Sequence, residues 1–355
     1  MLLEILSELP ESAPYSLSLS AGYDSRVLLA GMIKLKRNLV TASMGLPHST
    51  DPRIALKLAN TGGCKFSHLE TSPEDYLTFS DEIIKVTSGE KVFWHWHTGI
   101  YSKKVGFDHN AVHLAGSNGE FVRSYFFDKG IFSLFADFTR LPGWRYWLAL
   151  KNAVNRRVPN EILQSLSHNT KFRSALNCNL QIAKAYKPNL RFGDGLDFFY
   201  ASERVRNFIG LGLALYRSSF PTMSPFLDAR FIRFGAHLPR RFKLANTLHR
   251  LMISQLQPNL LQYPTDDSDI PLGSQPSKLY FLKKSKVTGY SRYKEAQKLP
   301  EIMHWAEQGY YEIGGGDNYK DNSLFREKVN QWNHLITIGK TLEFIHKSSI
   351  AKSNS

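Results

Sequence analysis

The sequence is poor in the features that mark specialised protein classes. Only two cysteines, Cys64 and Cys178, occur in 355 residues. They are too few and too far apart for a disulfide framework or a zinc cluster, which points to a reducing compartment. No apolar run approaches the length needed to span a bilayer. The stretch Met1 to Pro10 carries Glu4 and Glu8 and lacks a basic region and a small-residue cleavage site, so it does not read as a signal peptide. The expectation is a soluble, cytoplasmic protein without a membrane partner. Several motifs are also missing: the Gly-x-x-x-x-Gly-Lys-Ser/Thr phosphate loop, the three-glycine dinucleotide fingerprint, the Gly-x-Ser-x-Gly hydrolase elbow and any internal repeat.

Acid is scarce as well. Asp and Glu number 31 against 45 Lys and Arg, a formal net charge of +14. Such a surplus suits an acidic partner, whether nucleotide, RNA, phosphorylated sugar or anionic headgroup. The basic residues are scattered, as at Lys34, Lys36, Arg37, Lys103, Lys104, Arg156 and Arg157, with no arginine-rich block. They read mainly as solvated faces, and nucleic acid is not an expected partner.

What remains is an ordinary globular composition, 42% hydrophobic and 21% charged, in a chain long enough to bury a substantial core. A short alternating strand, Tyr15 to Leu19, runs into Ser20-Ala21-Gly22-Tyr23-Asp24-Ser25 and then into an apolar helical run, Arg26 to Lys36. A strand, a small-residue turn and a helix start make a cradle of free backbone N–H groups at the positive end of a helix dipole, which suits a phosphate. The bland alternative is a βα turn capped by Asp24 or Ser25.

The pattern continues. Strand-like Leu39 to Ser43 leads to Met44-Gly45-Leu46-Pro47-His48-Ser49-Thr50-Asp51, and Asp51 with Pro52 reads as N-cap and first residue of a helix to Thr61, ended by Gly62 and Gly63. Phe66 to Leu69 reads as a third strand, Ser72 to Asp75 as the capped start of a helix closing near Gly89, and Ala111 to Ala115 as a fourth strand stopping at Gly116-Ser117-Asn118-Gly119-Glu120. Alternation at this spacing predicts a parallel sheet with ligands outside the carboxyl ends of its strands. Helical patterns follow at Asp197 to Arg217, Ala229 to His237 and Leu248 to Leu256, loops at Pro264 to Ser277 and Gly314 to Asn318, and a frayed tail at Ser348 to Ser355.

The ordered set Leu-Ser-x-Gly-x-Asp-Ser, then Gly-Leu-Pro-x-Ser-x-Asp, then a Gly-x-x-Gly-Glu-x-x-Arg turn, then Pro225-Phe226-Leu227-Asp228 resembles the synthetase domain of asparagine synthetases. These belong to the PP-loop ATP pyrophosphatase superfamily, whose loop usually reads Ser-Gly-Gly-x-Asp-Ser; Ala21 stands here at the first glycine. The likeness spans about residues 15 to 270 and is closest to the atypical branch without a glutaminase half, in which an arginine follows the loop as Arg26 does here. It implies an α/β fold, a parallel sheet flanked by helices of the adenine nucleotide α-hydrolase kind with a mostly helical C-terminal extension. The implied division is a leader over 1–14, a nucleotide-binding core over 15–135, a helical part over 136–345 and a flexible tail over 346–355.

The resemblance also implies chemistry. A substrate carboxylate attacks the α-phosphorus of ATP, pyrophosphate leaves, and ammonia or an amine attacks the acyl-adenylate to give an amide. By the matched positions, Ser20, Gly22, Asp24 and Ser25 hold pyrophosphate, Asp24 and Glu120 hold Mg²⁺, and Leu19, Met44, Ala115 and Gly116 flank adenosine through their backbone. Asp51 is a second carboxylate at the edge of the cleft, Glu120 also handles protons, and Arg123 holds a carboxylate or phosphate or is a surface arginine of the following helix. A separate glutaminase is a possible ammonia source.

The chain departs from the family pattern in four places. Ser117 stands where an acid is expected, and Met223-Ser224 where an arginine usually precedes Pro-Phe-Leu-Asp. The spacing to Glu120 is one residue short, and Tyr263-Pro264-Thr265-Asp266-Asp267 lacks the lysine that steadies the reacting phosphate. Arg26, Arg123 and Arg204 are the candidates to replace that lysine. These departures keep two alternatives open: a catalytically weakened nucleotide-binding partner or regulator, and a PP-loop enzyme acting on RNA. Trp94-His95-Trp96-His97 reads as a packed aromatic patch, because histidines two apart face different sides of a helix.

Overall fold

The computed structural model describes residues 1–46, 48–123, 125, 197, 200–266, 269–274, 292–312 and 329–353. Its centre is a sheet of five strands, β1 (Tyr15–Ser18), β2 (Leu39–Met44), β3 (Lys65–Leu69), β4 (Val112–Leu114) and β5 (Thr222–Met223). All pairs are parallel and the order is β3-β2-β1-β4-β5. The expected α/β class is what the chain adopts. The fifth strand extends the sheet beyond residues 15–135; two residues after Pro221 carry too little alternation to read as a strand.

β1 lies at the middle, with Tyr15 aligned to Leu39 of β2 and to Val112 of β4. Tyr15, Ser16 and Leu17 are all buried, as a strand covered on both faces requires. The hydroxyls of buried Ser16 and partly buried Ser18 meet His113 of β4 at Nδ1 (3.1 Å) and Nε2 (3.2 Å). Burial pushes His113 down to about 3, so the ring is neutral and serves as a core hydrogen-bonding group.

The helices of this region include α1 (Leu2–Ser7), α2 (Tyr23–Lys34), α3 (Thr50–Thr61), α4 (Ala229–His237) and α5 (Thr247–Leu256). α2 starts three residues earlier than its apolar run suggested, with Gly22 as N-cap. Val27, Leu28, Leu29, Ala30 and Met32 are fully buried, so α2 is a core helix and shows no polar stripe. α3 is capped by Ser49 and begins at Thr50, not at Asp51. The expected single helix ending near Gly89 is two, Asp75–Thr78 and Ser80–Thr87, broken at Phe79.

The chain forms two compact units. The first comprises Met1–Thr71, Tyr101–Phe138 and Tyr200–Ser291, and holds the sheet. The second comprises Ser72–Ile100, Thr139–Phe199 and Arg292–Ser355. Its longest described helices, Pro300–Glu312 and Val329–Ser353, pack on each other. The expected frayed tail is instead helical to Ser353, with the Ser348 and Ser349 hydroxyls donating back to the Phe344 and Ile345 carbonyls (2.8 and 2.9 Å). The Trp94 to His97 patch is packed as expected: Trp96 is fully buried against Phe93 at 5.0 Å and donates Nε1–H to the Lys91 carbonyl. The loop at Gly314 to Asn318 lies outside the described residues.

Candidate functional site

The sheet order reverses between β1 and β4. The chain builds outward from β1 to β3 and then returns to the other side of β1, leaving the two intervening turns side by side at the carboxyl edge. Those turns are Leu19 to Ser25 and Ala115 to Arg123. A Cβ on Gly116 would stand 3.1 Å from the Ser25 backbone nitrogen, and one on Gly119 would overlap the Asp24 carboxylate. Glycine at these two positions lets the loops approach this closely, which accounts for the spacing Gly-x-x-Gly by contact between them.

Leu19 and Ala115 are buried and prolong the sheet: Leu19 N–H donates to the Ala42 carbonyl and Ala115 N–H to the Met223 carbonyl, each at 2.8 Å. Met44 ends β2 on the same edge, packed against a cluster that includes Ala42, Tyr101 and Phe220. Ala21 does not have positive φ, and its methyl group is fully buried in the core, so the departure from glycine costs no backbone strain.

The loop amides differ from the expectation of free donors. Ser20 N–H donates to Ser25 Oγ (3.1 Å), Ala21 N–H to Asp51 Oδ1, and Gly22 N–H to Ser20 Oγ (3.2 Å). Asp51 therefore anchors the loop from the first turn of α3, 30 residues on. Burial, with Asp266 adding to it, pushes Asp51 up to about 7, against the opposing Ala21 hydrogen bond and the Arg26 charge.

The acidic groups meet around one cation. Arg123 Nη2 lies 2.9 Å from Glu120 Oε1 and 4.0 Å from Asp24 Oδ2. Asp24 Oδ1 lies 2.7 Å from Nε2 of His249, a fully buried ring on α5. Burial raises the Asp24 carboxyl, but Arg123 and His249 outweigh it and hold it below the usual value. Arg123 Nη1 reaches Asn246 Oδ1 at 3.5 Å. Tyr200 completes the group: burial, then the Glu120 carboxylate, raises its hydroxyl pKa. Arg123 is thus partly buried beside the two carboxylates and not an exposed arginine of a following helix.

The two other arginines proposed to replace the missing lysine do structural work. Arg26 is wholly buried and donates to four carbonyls: Ala21 (2.9 Å), Leu260 (3.3 Å), Tyr263 (2.9 Å) and Pro264 (2.6 Å). Burial lowers its pKa to about 10. Arg204 sits over the rings of Tyr125 and Phe208, 4.6 Å from each centroid. Asp228 of the Pro-Phe-Leu-Asp element caps α4 through Arg230 N–H (2.8 Å), and the preceding Ser224 hydroxyl donates to the Ser117 carbonyl (2.9 Å).

Asp24 and Glu120 fit a hard cation in their chemistry: two carboxylates, brought to one guanidinium by a glycine approach, of the kind that holds Mg²⁺ together with phosphate oxygens. Among the described residues no group of three or more His, Cys, Asp or Glu forms a metal site from protein alone. Sequence did not point to His249, Asn246 or Tyr200. The one available signal was a histidine on the apolar run Leu248 to Leu256. No helix among the described residues is long and apolar enough to cross a membrane. The chain matches no protein-family model, and no curated protein matches it.

Proposed function

We propose that the protein is an asparagine synthetase-like ligase that uses ATP to adenylate a carboxylate, releases pyrophosphate, and forms an amide with ammonia or an amine, releasing AMP. The observation that carries this reading is the meeting of the Ser20 to Ser25 loop with the Gly116 to Arg123 turn where the sheet order reverses. In it, Ser20, Gly22 and Ser25 line the pyrophosphate position at the α2 N-terminus, and Leu19, Met44, Ala115 and Gly116 offer backbone groups to adenosine. Asp24 and Glu120 hold Mg²⁺, which when bound neutralises phosphate charge and orients the leaving pyrophosphate. Asp51 keeps the loop in shape, and Arg123 supplies a planar fork for a phosphate or the substrate carboxylate. The reading carries a cytoplasmic setting and a separate glutaminase as ammonia source.

The test is release of AMP and pyrophosphate from ATP and Mg²⁺ across a panel of carboxylic acids with ammonium or amines. Release that needs both acid and amine is expected. A protein with no affinity for ATP in Mg²⁺ would sink the reading. A second reading, a weakened nucleotide-binding homologue, is favoured by the internal use of the Ser20, Ala21 and Gly22 amides. It expects ATP binding with no AMP from any acid.

A further inference from the structure

We infer that Arg123 is the resident counter-ion of this site, standing between Asp24 and Glu120 where a divalent cation stands when nucleotide is bound. The inference rests on the ligase reading for what arrives and on the side-chain geometry for what gives way. The acidic side chains are only 17% (Asp24) and 14% (Glu120) exposed, and two carboxylates so placed repel unless a cation lies between them. One nitrogen of Arg123 serves both, firmly at 2.9 Å to Glu120 and loosely at 4.0 Å to Asp24. The other oxygen of Asp24 lies 2.7 Å from Nε2 of the buried His249 ring. Asp24 therefore has one oxygen beside the His249 ring and one 4.0 Å from Arg123, and the oxygen facing Arg123 is the one a cation can take over.

A compact dication approaches both carboxylates more closely than a guanidinium and carries twice its charge, so it outcompetes Arg123 once phosphate oxygens complete its shell. Leaving His249 aside, two acids and one arginine give the cluster a single negative charge, and adding a dication turns it positive. The released fork of Arg123 then faces an incoming polyphosphate. One residue thus neutralises the empty site and joins the filled one.

The experiment measures Mn²⁺ binding without nucleotide, by calorimetry, in the wild type, Arg123→Gln and Arg123→Lys, with thermal unfolding in parallel. Arg123→Gln is expected to unfold at lower temperature without metal, to recover in Mn²⁺, and to bind Mn²⁺ about tenfold more tightly than wild type, the size of one neighbouring charge. Arg123→Lys, a point charge that serves one carboxylate at a time, is expected to show a smaller gain and supplies the result if Arg123→Gln does not fold. Neither variant gaining Mn²⁺ affinity overturns the inference. ATP·Mg²⁺ binding by the wild type is followed separately: its absence sinks the ligase reading alone, and its presence with no gain in either variant sinks the Arg123 role alone.

Discussion

Two charge clusters, one in each unit, show how differently the same side chains are used. In the second unit Lys340 Nζ lies 2.6 Å from Asp81 and 3.0 Å from Glu343, and its ammonium sits 4.6 Å from the Trp305 ring centroid. Lys347 joins Glu343 at 2.5 Å, and Trp305 Nε1–H donates to its other oxygen. Although burial alone would raise it, hydrogen bonds from Lys347, Lys340 and Trp305 hold Glu343 down to about 2. Two acids face two lysines, and three of these four residues lie at helical spacings on one element. The cluster around Arg123 draws on α2, the turn after β4 and the start of α5, and has two acids against one fixed cation. Charge that closes on itself between two helices of one unit is a device of the fold. Around Arg123 the charges come instead from segments far apart in the sequence.

That contrast can be broken or sharpened by substitution. Asp24→Ala should lower pyrophosphate release about 100- to 1000-fold, with far-ultraviolet circular dichroism unchanged. Loss of the native spectrum would make Asp24 a fold residue like Glu343. Gly119→Ala should cost about 1–3 kcal/mol in urea unfolding and weaken ATP·Mg²⁺ binding, because its methyl group meets the Asp24 carboxylate. Lys340→Met should cost about 1–2 kcal/mol yet leave pyrophosphate release per folded molecule at the wild-type rate.

The smallest effect concerns pH. Asp51 is raised in the folded state, so the native protein keeps a proton that the unfolded chain loses, and this residue's contribution to stability falls as pH climbs from about 4 to about 7. Asn in its place still accepts from Ala21 N–H. Asp51→Asn should therefore gain stability relative to wild type as pH rises from 5 to 8, read from urea midpoints. An unchanged difference across that range would show that Asp51 is not charged in the way its burial implies.

The sheet was legible in the sequence because its four longer strands are short stretches bounded by turn residues and alternating with helical patterns; the observed boundaries differ from the expected ones by one residue at each altered end. β5 was not, since two residues hold no period. In the site, the loop, Glu120 and Arg123 were visible as local motifs. Arg26 looked the same in kind as Arg123, and only the approach of residues 260–264 separates a clamp from a site residue. His249 reads as one polar residue in an apolar helix, and nothing local says that Asp24, 225 positions earlier, lies against it.

The Arg26 clamp also bears on dissection of the chain into smaller pieces. Its two terminal guanidinium nitrogens donate to carbonyls of Leu260, Tyr263 and Pro264 as well as Ala21, so a fragment ending before residue 260 would leave a buried cation with the Ala21 carbonyl alone of these four. The segment that carries the phosphate-loop motif is therefore not a free-standing module. Any minimal version of this protein has to keep the far side of that clasp.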